Sequence, residues 1–123
     1  MGCLIALSLL MVAGCVSGPV AGANWEKKIT FDLAQIDDNG LFGPADGKVT
    51  VDYEFCIPDT PATQAEVKRI DPSVKFSHSH GRIGRKEGEL LCIGNTHQKN
   101  YRKNLKRLAQ LSYVRRIDRC FWE

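Results

Sequence analysis

No charged side chain occurs in residues 1 to 22, whereas the other 101 residues carry all 17 basic and all 14 acidic groups. Nor is there an apolar stretch of the roughly 20 residues a helix needs to cross a bilayer. The longest, Leu4 to Ala13, spans ten. A phosphate-cradling glycine loop, a Gly-x-Ser-x-Gly elbow and a His-Glu-x-x-His pair are all missing, which removes the commonest nucleotide, hydrolase and metalloprotease readings. Asp37-Asp38-Asn39-Gly40 fails the calcium-loop template, because Leu41 and Phe42 occupy the ligand and glycine positions. What is there, 123 residues at 43% hydrophobic and 25% charged, fits one globular domain and excludes a multidomain enzyme, collagen and a wholly disordered chain.

The uncharged N-terminus has the length and composition of a signal-peptide apolar core. Val12-Ala13-Gly14-Cys15 follows it and resembles the lipobox of bacterial lipoproteins. The resemblance implies cleavage after residue 14 and acylation of Cys15, with palmitate among the acyl chains, in the cell envelope. Ordinary secretion and an uncleaved anchor are the competing readings of the same run. Gly2 does not make a myristoylation signal, because position 6 is Ala6 instead of Ser or Thr. The expected organisation is a signal peptide at 1–14, a lipidated cysteine and small-residue tether at 15–24, an extended lead-in at 25–48 and a folded domain at 49–123. Val16 after the acylated cysteine implies the outer membrane in a two-membrane cell.

Within the lead-in, Ile29 to Leu33 alternates like a short edge strand, and Asp37-Asp-Asn-Gly, Gly43-Pro44 and Asp46-Gly47 are turn signals. Val49 to Ile57 alternates cleanly, with Val51, Tyr53, Phe55 and Ile57 on one face and Asp52, Glu54 and Cys56 on the other. Thr60 and Pro61 open a helix that Asp71-Pro72 closes. Val74 to Ser77 and Leu90 to Ile93 read as the second and third strands around a glycine-rich stretch. Thr96 is the expected cap of a second helix, His97 to Leu111, with Tyr101, Leu105, Leu108 and Ala109 as its apolar stripe. Tyr113 to Trp122 is the expected last strand. This order predicts an α+β fold, a ferredoxin-like βαββαβ sandwich with two helices on one face of a four-stranded sheet.

Cys56, Cys92 and Cys120 remain once Cys3 and Cys15 are assigned to the signal and the lipid. In an oxidising envelope a Cys56–Cys92 bridge between central strands is expected, with Cys120 unpaired; three buried reduced thiols is the alternative. His78-Ser79-His80 is the one metal-like pattern, and without a third ligand it reads as exposed loop histidines. No cofactor and no enzymatic activity are expected.

Residues 1 to 60 hold three basic and eight acidic groups, residues 61 to 123 fourteen and six. Lys99, Arg102, Lys103, Lys106 and Arg107 concentrate the positive charge on the second helix. At a membrane such a face binds anionic headgroups; an envelope protein is the other partner class. Nucleic acid is disfavoured, because Leu90-Leu-Cys-Ile carries no aromatic for base stacking. Leu105 to Glu123 is similar to the closing helix and strand of subtilisin propeptides, which implies a protease inhibitor with Phe121-Trp122 at the protease. The primary expectation is a lipid-anchored binding module, with small-ligand or metal binding on the open sheet face as a further alternative.

Overall fold

A computed structural model describes residues 24–121. The signal segment, Cys15, most of the tether and Trp122 lie outside the described residues. The elements, in chain order, are α1 (Trp25–Lys28), a 3-10 turn (Leu33–Gln35), β1 (Leu41–Phe42), β2 (Val49–Thr50), β3 (Asp52–Pro58), α2 (Pro61–Ile70), β4 (Lys75–Ser77), β5 (Glu89–Asn95), α3 (Tyr101–Gln110) and β6 (Asp118–Arg119). The fold is mixed α+β. Four strands form an antiparallel sheet in the order β4-β5-β3-β6, and β1 and β2 form a separate two-stranded one.

Side chains alternate across a strand, and β3 shows what this does. Tyr53, Phe55 and Ile57 are fully buried on the face that receives both ten-residue helices. Against them pack Val67 and Ile70 from α2 and Tyr101, Leu105 and Leu108 from α3, in one hydrophobic cluster. At the start of α2 the Thr60 hydroxyl accepts the Thr63 N–H (3.1 Å), Pro61 fills the first turn, and the helix ends at Asp71 as the sequence predicts.

Three expectations are corrected. First, the long strand from Val49 is broken at Val51, whose N–H donates to the buried Thr96 hydroxyl at 2.9 Å. That hydroxyl in turn donates to the Gly40 carbonyl at 2.7 Å. Because Thr96 is committed to these long-range contacts, it does not cap α3, which starts four residues later than predicted behind Asn100, a residue in the left-handed region (φ 58°). Second, the lead-in is built, not merely extended. Ile29 makes a single parallel bridge to Ile117 in place of the predicted strand, and the Asp32 carboxylate accepts the Ala34 N–H to start the 3-10 turn. Third, the last strand shrinks to Asp118–Arg119, because before it the chain turns at Val114, whose N–H donates to the Leu111 carbonyl at 3.1 Å, and the Ile117 N–H donates to the Lys28 carbonyl at 2.7 Å instead of pairing along β3.

Replacing Thr96 by Val keeps the shape and removes the hydroxyl, stranding a buried N–H and a carbonyl. Urea unfolding is expected to show a loss of about 2 kcal/mol at unchanged slope.

Candidate functional site

The sheet face away from the helices is not open. Residues 78 to 88 fold back over it as a strap. Its centre is pinned where the Ile83 N–H donates to the Glu54 carboxyl at 2.6 Å, a carboxyl only 1% exposed although it lies on the face expected to meet water. Gly81 (φ +63°) passes so close to the sheet that an added Cβ would lie 3.0 Å from Leu91 and 3.2 Å from Glu54 Oε1. A side chain there would lift the strap as well as strain the backbone. Arg85 staples the far side, donating to the carbonyls of Ser79 (3.1 Å) and Glu89 (2.9 Å).

Between the strap and the segment that follows α3 lies a cavity of about 360 Å³, lined among others by Cys56, Ile83, Lys86, Glu89, Arg115 and Arg116. Both Glu89 oxygens are engaged, Oε1 by the Lys86 N–H (3.0 Å) and Oε2 by Arg115 (3.0 Å). Arg116 pairs with Asp118 at 3.0 Å. Burial, followed by the Glu89 and Glu54 charges, pushes the Cys56 thiol up against the opposing pull of Arg115 and Arg85. At neutral pH it is therefore a protonated wall of the cavity, not an activated nucleophile.

The expected Cys56–Cys92 bridge is not formed; both thiols are free. The register explains why. Phe55 pairs with Cys92 and Cys56 with Leu91, so Cys92 faces the helices while Cys56 faces the strap. Burial drives the Cys92 thiol far up as well. Cys120 is buried on the strap face, and desolvation together with its hydrogen bond to Glu54 pushes it up to about 12.

Comparison with protein-family models, curated proteins and solved structures finds no match to this chain.

The basic residues of α3, together with Lys99, which lies on the loop before the helix and not on it as expected, divide in two. Arg102 is turned toward the lead-in, paired with Asp38 and donating to the Ile36 carbonyl at 2.6 Å. The Lys106 ammonium lies 5.4 Å over the Trp25 ring. Lys99, Lys103 and Arg107 are exposed and have no ion-pair partner among the described residues. His78 is exposed with its Nε2 3.1 Å from Asp59, and His80 is exposed on the strap. Among the described residues no three ligating side chains converge on a metal position. His97 lies on the loop before α3, its N–H donating to the Asn95 side chain at 2.6 Å. Of the propeptide-like segment, Phe121 is 55% exposed beside Arg119, whose guanidinium lies between the rings of Phe42 (4.5 Å) and Phe121 (4.8 Å).

Sequence reasoning missed the cavity residues Lys86, Glu89, Arg115 and Arg116. The available signal was the spacing of Gly81, Gly84 and Gly88 among basic residues, a pattern suited to a backbone that doubles back on a strand.

Proposed function

We propose that this chain is a lipid-anchored envelope protein whose ferredoxin-like domain acts as a binding module at an anionic membrane surface, through the exposed side of α3. One observation carries the reading: the chain enters the fold at α3. Trp25, the first helical residue after the tether, lies under Lys106, and α1 packs along α3. From Cys15 to Trp25 a chain reaches at most roughly 35 Å. Acylation of Cys15 therefore brings α3, with Lys103 and Arg107 outward and Lys99 on the loop before it, within reach of the headgroups. The strand order β4-β5-β3-β6 with antiparallel neighbours supports the ferredoxin-like class, since it sets the first and third strands of the βαββαβ unit side by side at the centre.

Each near-surface cation contributes about 1 kcal/mol at an anionic leaflet. The chain from Val16 onward is expected to sediment with phosphatidylglycerol vesicles and not with phosphatidylcholine vesicles, and Lys103→Gln/Arg107→Gln to weaken binding about 30-fold. Equal binding to both vesicle types sinks the surface assignment. Palmitate labelling of cells tests the anchor separately: incorporation that persists in Cys15→Ser rules out this cysteine as the acylated one.

A further inference from the structure

We infer that the cavity beneath the strap is a binding site for a small carboxylate or phosphate anion, held by Lys86 and Arg115 above the Cys56 thiol. Lys86, Arg115 and Arg116 line it against one carboxylate, Glu89. Arg116 is itself paired with Asp118, and Arg115 with Glu89, so the excess positive charge at the cavity is that of Lys86, which an anion neutralises. The donors are also free to act. The Lys86 ammonium has no partner among the described residues, and Arg115 spends one guanidinium nitrogen on Glu89 while its side chain stays 69% exposed. Glu89 has both oxygens occupied already, so it orients Arg115 instead of competing for a ligand's donors. The planar fork of Arg115 suits a carboxylate or phosphate group, and charge-assisted bonds of this kind are about twice as strong as neutral ones.

Size and shape narrow the occupant. About 360 Å³ lies at the small end of ligand cavities, enough for a metabolite. Ile83 and the protonated Cys56 thiol give it an apolar wall. The Glu54 and Arg85 contacts hold the strap in place before any ligand arrives, which limits the ordering that binding requires. The site lies on the sheet face opposite α3, so its occupant is independent of the membrane contact proposed above.

Cys56 supplies the readout, because Cys92 and Cys120 are buried. Full-length chain in detergent is titrated with citrate and, separately, inorganic pyrophosphate, and the rate of Cys56 modification by iodoacetamide is followed by peptide mapping. Saturable slowing by one of them is expected, and the arm that protects tells whether carboxylate or phosphate is recognised. Lys86→Gln/Arg115→Gln should weaken protection about tenfold or more, one charge-assisted bond being enough for that factor. Lys103→Gln/Arg107→Gln, on the other face, should leave it unchanged. Modification of Cys92 would reveal an unfolded variant; Lys86→Gln alone, which removes no contact of the fold, then decides. The inference is overturned if neither anion slows the reaction at millimolar concentration. It is equally overturned if sodium chloride of matched ionic strength slows it as much, or if the Lys86 variant is protected like the parent.

Discussion

Gly94→Ala is expected to destabilise the domain by about 4 kcal/mol, enough to lower its thermal midpoint by roughly 15–25 °C for a unit of this size. The reason is the Tyr53 ring. Gly94 is the register partner of Tyr53 on the helix-facing side of the sheet, and the ring packs close against the glycine. A Cβ at position 94 would stand 2.5 Å from Tyr53 Cε2, 2.6 Å from Cζ and 2.8 Å from the hydroxyl oxygen. Tyr53 is fully buried, so it has no solvent to swing into, and its hydroxyl is tied to Asp71 and Gln98. Relief of the clash must move the ring off those partners or part β3 from β5. Ordinary overpacking costs about 1–3 kcal/mol, and a displaced buried hydroxyl adds about 1–3 more.

Two comparisons isolate this cause. Gly84 (φ +83°) has nothing within 4 Å of an added Cβ, so Gly84→Ala should cost only the backbone term of about 1–2 kcal/mol. Tyr53→Leu shortens the ring that overlies Gly94, and Gly94→Ala in that background should cost much less than in the parent. If the glycine substitution costs the same with Leu at position 53, the steric explanation is wrong.

Why such a position escapes a sequence reading is clear from what was legible. The alternation of Tyr53, Phe55 and Ile57, the Thr60-Pro61 start and Asp71-Pro72 stop of α2, and the stripe of Tyr101, Leu105 and Leu108 all repeat a local rule within one segment. The start of α3 did not follow the local rule, since Thr96 spends its hydroxyl on Gly40, 56 residues away. The relative facing of Cys56 and Cys92 depends on a register in which a shift of one residue reverses every side chain. With Phe55 opposite Cys92, the two thiols part to opposite faces. The cavity is less legible still. Its cations come from a strap and from the chain after α3, 29 residues apart at Lys86 and Arg115, and they meet only because Glu54, on the predicted solvent face, captures the strap through Ile83.

Asp71→Ala is expected to cost about 4 kcal/mol, and Asp71→Asn about half of that. From the sequence, Asp71 is only the residue that stops α2 ahead of Pro72. In the fold it is fully buried and without a salt bridge among the described residues. Its carboxylate is held by dipoles instead. Oδ1 accepts from the Ser73 N–H (3.0 Å), the Ser73 hydroxyl (2.7 Å) and the Gln98 amide (2.9 Å), and Oδ2 accepts from the Tyr53 hydroxyl. Gln98 passes the network on, its carbonyl accepting from Asn104 of α3 at 2.9 Å, and Ser73 accepts the Asn95 N–H of β5 at 3.0 Å. One carboxylate thus joins β3, the end of α2, the end of β5 and α3. Burial and the Asp71 charge both push the Tyr53 hydroxyl far above its ordinary range, so it stays a donor throughout the neutral range. Alanine leaves those donors facing a void, each losing a partner that water cannot replace. Asparagine keeps an oxygen for Ser73 and Gln98 and sets its amide against the Tyr53 hydroxyl, which must then turn from donor to acceptor. Chemical denaturation of the two variants separates hydrogen bonding from shape: an asparagine loss near zero would mean that Asp71 only fills space, whereas a loss of about 2 kcal/mol for this nearly isosteric variant assigns that part to the acceptor lost at Oδ2.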